Sequence, residues 1–348
     1  MKIAIIGSGF FGTAIALKLS KKHSVDIFEK KNDILQGASS ANQYRFHLGY
    51  HYPRSQKTVK EISKSNGAFI KFFGEKIFGN TQNYYGIARN ETKTNIKNYF
   101  NFLKKNKLFY KIINNNLPKI IEGVFLTKEK ILNYFLFKKK LFQKLRKNKN
   151  IKIFFNSEFK KKYLQLYDKI ILCTYNNNNQ IIKELGCKLK VKYKYELVEK
   201  IIIKLPNKYK NQSYVILDGK FVCVDPYLGT PYHLLSDVKH SKIEVIKDYL
   251  IKFKSSKKKY VNKGIIRNIK KSNFNKFINN SSRFLPFLKK SKYIGSLYTI
   301  RTLQMNKEKT DERINSIKII NDKIISIFSS KWNTCVYLAN YINKIIND

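Results

Sequence analysis

Apolar and polar positions recur with two different periods along this chain, and the change of period divides it. Lys2–Ile6 is a short apolar run that ends at a glycine, which predicts a buried strand. Thr13–Leu19 carries apolar residues at helical spacing, and Val25–Glu29 is a second short apolar run, so the chain opens as a β-α-β unit. Amphipathic patterns predict further helices at Gln56–Phe73, Lys93–Lys107 and Ile131–Lys147. Two more strands follow at Ile151–Phe155 and Lys169–Thr174. The runs then become short and consecutive: Tyr195–Leu205, Tyr214–Leu217, Phe221–Val224 and Tyr232–Val238, with Asp218-Gly219 as a hairpin signal. Ile324–Phe328 predicts a closing strand, and Lys331–Ile346 a helix with Leu338, Ile342 and Ile345 on one face. An α/β beginning and an α/β end thus enclose a strand-rich, antiparallel middle, with no repeat or Pro/Gly/Ser-rich linker between them. The expectation is one discontinuous nucleotide-binding domain of residues 1–78, 140–185 and 290–348. A substrate domain of residues 79–139 and 186–289 is inserted in it.

Gly7-Ser8-Gly9-Phe10-Phe11-Gly12 lies between the first strand and the first helix. Gly7 permits the tight turn, Gly9 lets the backbone approach a pyrophosphate at the helix N-terminus, and Gly12 allows helix and strand to pack closely. Glu29, with Lys30 beside it, ends the second strand where an acid takes ribose hydroxyls. This is a Rossmann-type dinucleotide site; the acid disfavours a 2′-phosphate and hence NADP. NAD and FAD are not separated by the turn. Gly37-Ala38-Ser39-Ser40-Ala41-Asn42, rich in small residues and hydroxyls, reads equally as a cofactor-lining segment or a surface loop.

Composition changes this picture little. The 348 residues carry a formal charge of +47, but 62 of the 70 basic residues are Lys and eight are Arg, spread along the chain with Asn tracts such as Asn114–Asn116. Base readout and bidentate phosphate clamps favour Arg. The charge reads as Lys filling solvated faces, so no nucleic-acid partner is expected, while weak peripheral membrane association stays open. No apolar run approaches the roughly 20 residues that span a bilayer. Met1–Leu19 is interrupted by glycines and reads as strand and helix rather than as a secretory signal. Cys173, Cys187, Cys223 and Cys335 are scattered, with no CxxC pair and no histidine at ligand spacing. They predict no metal site and no disulfide framework, and a reducing cytoplasm fits them. Nothing in the sequence sets an oligomeric state.

The stretch from Lys2 to Ser55 resembles the start of the FAD-dependent oxidoreductases of the D-amino-acid-oxidase superfamily, which includes glycine oxidase, sarcosine oxidase and FAD-linked glycerol-3-phosphate dehydrogenases. GSGFFG, Glu29, the GASSAN segment and Arg45-Phe46-His47-Leu48-Gly49 fall in that family's order and spacing. Tyr167-Asp168-Lys169-Ile170-Ile171-Leu172-Cys173-Thr174 is similar to its second flavin-contacting strand, with Tyr175 where the family has a glycine. Ser329-Ser330-Lys331-Trp332-Asn333-Thr334 resembles its closing Gly-Gly-Lys-x-Thr-Thr turn, two serines replacing the glycines. Asp311-Glu312-Arg313 is similar to the Asp-x-Arg that often precedes it. The resemblance implies FAD as cofactor and an α/β fold: a Rossmann-type FAD-binding domain with an inserted antiparallel β-rich substrate domain of α+β character. It implies cofactor contacts from the glycine turn, Glu29, Lys30, Ser39, Ser40, Asn42, Thr174, Ser330, Lys331, Trp332 and Thr334.

His47 and His51, with Tyr50 and Tyr52, form a titratable cluster where this family turns toward the flavin. There a histidine serves as a general base or merely fills a packed loop. Arg301 stands at the family's substrate-carboxylate position, next to Tyr298; an Arg fork matches a carboxylate, and Arg is scarce here. Tyr232 and His233 are candidates for the substrate cavity wall. The expected activity is oxidation of a C–N or C–O bond of a small polar, anionic substrate by hydride transfer to flavin. A sugar-nucleotide mutase like UDP-galactopyranose mutase and an NAD-dependent dehydrogenase are the alternatives.

Overall fold

Near-continuous apolar runs make strands buried on both faces, and the first strand shows how. The computed structural model describes residues 1–113, 118–219 and 222–348; the Asn114–Asn116 tract and Phe221 of one expected strand lie outside them. In chain order the elements begin with β1 (Lys2–Ile6), α1 (Phe10–Leu19), β2 (Ser24–Phe28), β3 (Arg45–Phe46), α2 (Gln56–Phe73) and β4 (Phe78–Gly79). Then come β5 (Gln82–Ala88), α3 (Ile96–Lys105), β6 (Tyr110–Ile112), β7 (Ile121–Thr127), β8 (Lys130–Leu132) and α4 (Tyr134–Arg146). They continue with β9 (Ile151–Phe154), β10 (Lys169–Leu172), α5 (Asn178–Glu184), β11 (Tyr193–Lys204), β12 (Gln212–Leu217) and β13 (Val222–Tyr227). The last are β14 (Tyr232–Asp237), β15 (Lys242–Asp248), α6 (Phe274–Ser281), β16 (Lys292–Leu303), β17 (Ser316–Ile319), β18 (Ile324–Phe328) and α7 (Cys335–Asn347).

Six strands form one sheet in the order β17-β18-β10-β1-β2-β9, parallel except at the β17 edge. β1 sits inside it. Ile3 and Ile5 pack into the core shared with α1, α4 and α7, while Ala4 and Ile6 face the core of β10 and α5 on the other side. Both faces being covered, no polar residue interrupts the run.

The nine-stranded second sheet runs β15-β11-β14-β13-β12-β5-β7-β6, with β16 also paired to β11. It is antiparallel apart from the β5–β12 pair. β5 and β7 escape the sequence pattern because Gly86 and Gly123 interrupt them. A Cβ at Gly86 would lie 2.9 Å from Ile216 Cδ1, and one at Gly123 2.3 Å from Ile96 Cδ1, so the tips of those isoleucines fill the space beside each glycine. β16 corrects an expectation. Chain order places residues 290–303 in the nucleotide-binding unit, yet β16 pairs with β11 from Lys292 to Leu303 and belongs to the second sheet. A small third sheet, β3-β8-β4, completes the strands.

Helix starts follow their caps. Asn95 caps Asn98 N at 2.8 Å, so α3 begins at Ile96 rather than Lys93, and Asn133 caps Leu136 N at 3.1 Å, so α4 begins after β8. Among the described residues no helix is long and apolar enough to cross a membrane.

Candidate functional site

The turn after β1 is built from glycines that nothing else replaces. Gly7 has φ +98°, and a Cβ there would lie 3.0 Å from Cys173 O; a Cβ on Gly12 would lie 1.9 Å from Gly7 O. Gly9 is different. Its only close neighbour would be Ser39 Oγ at 3.3 Å, so its backbone stays open toward the cleft. Gly9 caps α1 without a side-chain acceptor, which leaves the first amides of Phe10 and Phe11 available to an anion. Ser8 is fully buried and serves Glu29: its N and Oγ donate to Glu29 Oε2 at 2.9 and 2.8 Å, and Lys31 N donates to Oε1 at 3.0 Å.

A cleft of about 1310 Å³ opens over this turn and runs between the two large sheets. Gly7, Gly9, Phe10, Phe11, Glu29 and Lys30 line its first part. Ser39, Asn42, His47, His51 and Thr174 line its middle, and Arg301, Ser330, Lys331 and Trp332 its far end. Ser8 and Gly12 lie behind the wall. So do Ser40, whose Oγ closes its own turn on Gly37 O at 2.9 Å, and Thr334, whose Oγ1 donates to Lys331 O at 2.7 Å. Tyr232, His233 and Tyr298 are turned away from the cleft. His233 Nε2 meets Tyr209 O at 3.0 Å and Tyr298 donates to Lys271 O at 3.0 Å, while Tyr232 packs on the large core. Strand pleat accounts for His233 and Tyr298, which alternate with the cleft-lining Ser236 and Arg301, whereas Tyr232, on the opposite face from His233, is taken up by the large core.

Three of the glycines that the resemblance implies are replaced, at Tyr175, Ser329 and Ser330, and the backbone accounts for each. Tyr175 keeps the left-handed conformation of a glycine, with φ +56°. Its hydroxyl accepts from Thr302 N at 2.8 Å and donates to Thr302 O at 3.1 Å, bonds that offset the strain and tie the end of β10 to β16 beside Arg301. Ser329 and Ser330 lie outside the left-handed region and need no glycine. Ser330 N donates to Asn315 Oδ1 at 2.8 Å, so this amide is already engaged.

The electrostatics sort into paired and unpaired cations. Arg301 Nε donates to Glu196 Oε2 at 2.7 Å and Nη2 also binds that carboxylate, which leaves Nη1 alone for a ligand. Arg54 is paired with Asp218 at 2.5 Å, Arg313 with Asp311, and buried Arg45 with Glu129 at 2.9 Å and with Asp225. Lys200 and Lys331 line the same cleft without a carboxylate partner among the described residues. Burial pushes Lys200 down to about 8. Burial and Arg313 push Lys331 down to about 7. His47, pushed down to about 4 by burial and by Lys331, and His51, held well below its usual value by burial and His47, are neutral imidazoles 5.6 Å apart.

Sequence reasoning missed Glu196, Lys200, Arg45, Arg54, Glu129 and Asp225. One signal was present for the arginines: of the eight in the chain, Arg45, Arg54, Arg301 and Arg313 all line the cleft.

Three kinds of known protein resemble this chain. The sequence profile DAO, described as FAD dependent oxidoreductase, matches residues 2–229. FAD-dependent monooxygenase kojA of Aspergillus flavus is 37% identical over 78 residues, which is 22% of this chain and 18% of that protein. FAD-dependent monooxygenase FPY4 of Fusarium mangiferae is 37% identical over 71 residues, again 18% of its length. Among solved structures, glycine oxidase from Geobacillus kaustophilus superposes with a TM-score of 0.68 at 12% identity, covering 99% of this chain and 93% of that one. L-alpha-glycerophosphate oxidase from Mycoplasma pneumoniae with FAD bound gives 0.70 at 14%, covering 100% and 94%. L-proline dehydrogenase from P. horikoshii gives 0.71 at 12%, covering 99% and 92%. At these identities the structures show the shared fold.

Proposed function

Because the chain belongs to the FAD-dependent oxidoreductase family, we propose that it oxidises a C–N or C–O bond of a small anionic substrate in the cleft described above. The residues present fit FAD. Gly9 and the open amides of α1 suit a pyrophosphate, and Glu29 directly follows β2, where ribose hydroxyls would lie. Among the described residues Ser330 Oγ and Trp332 Nε1, on residues that line the cleft, are buried without hydrogen-bond partners, which leaves them free for polar atoms of the cofactor. The cleft also exceeds the roughly 300–1,000 Å³ of drug-sized sites, leaving room for a substrate beside a dinucleotide. FAD bound there supplies a two-electron acceptor for a hydride.

The observation that carries the anionic part of this reading is the pair of unpartnered lysines. A partly buried cation that is not ion-paired is costly, and Lys200 and Lys331, with no carboxylate in ion-pair contact among the described residues, both feel the charge of Arg301. A carboxylate or phosphate on the substrate supplies the missing charge. His47 or His51, neutral at pH 7, accepts the proton that leaves the substrate nitrogen or oxygen.

The test is anaerobic mixing of the purified yellow protein with amino acids, hydroxy acids and their neutral amides and alcohols. Bleaching of the flavin bands by anionic members alone supports the reading. Bleaching by neutral compounds alone, or absence of a flavin spectrum, sinks it. A mutase would show no net reduction by substrate, and an oxygenated product in air would replace simple dehydrogenation with monooxygenation.

A further inference from the structure

The cleft floor contains a buried charge network that the proposed chemistry does not yet use. Glu129 precedes β8, and its side chain is 0% exposed. Its Oε2 accepts from Tyr85 OH at 2.5 Å and Arg45 Nη1 at 2.9 Å. Its Oε1 accepts from Leu48 N, 81 residues away in sequence, at 3.1 Å. The same Oε1 lies 3.5 Å from His47 Nδ1. An ionised carboxylate shut off from water has to be met by donors on its open sides. A neutral His47 meets it favourably only with the ring proton on Nδ1, because a lone pair turned toward the carboxylate is repelled. The separation is longer than a formed hydrogen bond. It falls in the looser range that catalytic contacts show before substrate is in place.

We propose that Glu129 is the positioning residue of this cleft, holding His47 as the Nδ1–H tautomer so that Nε2 is the atom that accepts the substrate's proton. The inference rests on the reading above, in which a histidine manages that proton. Nδ1 is among the fully buried ring atoms and Nε2 is not, so the edge of the ring that meets the cleft is the Nε2 edge. In the step, the substrate N–H or O–H proton passes to Nε2 and the electrons of that bond form the C=N or C=O. The carbon loses hydride to the bound two-electron acceptor. Formal charges follow: Arg45, Glu129 and Asp225 together carry −1, and a proton on His47 brings the buried set to zero. Lys331 and Arg45 face His47 as opposing cations, and His51 packs beside it as a neutral ring. Glu129 is thus the nearest group that stabilises the protonated form.

The experiment is nitrogen NMR of the flavin-loaded protein carrying ring-labelled histidine. The chain has only five histidines, and His47→Gln assigns the signal. At pH 7 His47 is expected with a protonated Nδ1 and a bare Nε2. In Glu129→Gln the Nδ1–H population should fall several-fold. Flavin reduction by a bleaching substrate should slow about 10-fold or more with KM little changed. A wild-type His47 protonated on Nε2 overturns the proposal, as does a Glu129→Gln protein with an unaltered tautomer. If Glu129→Gln does not fold, the wild-type spectrum decides alone. If His47→Gln reduces flavin at the wild-type rate, the proton-handling role of His47 falls and the positioning role with it. A wrong tautomer by itself leaves the oxidation of an anionic substrate standing.

Discussion

Arginine is the rare cation here, and lysine the common one, yet at the cleft their roles separate by geometry. Arg54 and Arg301 each lay two nitrogens of a planar fork against a carboxylate, and Arg313 divides its fork between Asp311 and Glu312 O, shapes lysine does not reproduce. Lys331 has Tyr52 at 5.0 Å under its ammonium and, among the described residues, no carboxylate in ion-pair contact. Its charge is therefore conditional: burial lowers its value to about 7, so it is protonated below that pH and neutral above. For an anionic substrate, KM should rise as pH climbs through about 7. Lys331→Arg, charged at every working pH, should flatten that rise, and Lys331→Met should raise KM about tenfold at pH 6, both read from steady-state kinetics. Glu29 works through shape as well as charge. Glu29→Ala removes the acceptor of Ser8 N and Oγ and of Lys31 N. The expected result is a flavin-to-protein absorbance ratio that falls after gel filtration, where the wild type keeps its colour.

At the scale of elements, the parts with one dominant period were legible and the parts with interrupted periods were not. β1, α2 and β18 match the sequence pattern residue for residue, because each combines an unbroken apolar run or a full amphipathic period with a clear stop. β5 and β7 carry glycines, packed against isoleucine side chains, that erase the strand signal. β16 falls in the stretch that chain order assigns to the first unit, because place along the chain does not report which sheet a strand joins. The join of β10 to the following turn shows the same limit. A glycine is expected after Thr174, and Tyr175 takes its conformation because Thr302, far along the chain, supplies two hydrogen bonds. Tyr175→Phe should lower stability by about 1 kcal/mol in urea unfolding, leaving Thr302 N without its acceptor. It should also raise KM through the loosened Arg301 strand, with flavin retained.

Across the whole molecule, one side chain links the parts. Arg45 on β3 of the small sheet reaches Tyr85, Ser213 and Asp225 on β5, β12 and β13 of the large one, and Glu129 before β8. Arg45→Leu leaves two buried carboxylates without their cation and should cost about 3–5 kcal/mol in chemical denaturation, with a weaker flavin spectrum as the cleft floor loosens. Conversely, the formal charge of +47 has no single address, since the lysines are spread along the chain. The sequence by itself determined the dinucleotide turn, the acid at Glu29, the α/β-then-β order of the chain and the cofactor class. Those depend on local spacing, on backbone freedom at Gly7 and Gly12, and on motifs that read along one strand of text. Only the tertiary structure decided that Arg301 is shared with Glu196, that Tyr232, His233 and Tyr298 face away, that Lys200 and Lys331 meet the cleft, and that Glu129 is buried behind His47. Those facts depend on which face of a strand is buried and on which distant carboxylate reaches which cation, and neither is a property of neighbouring residues.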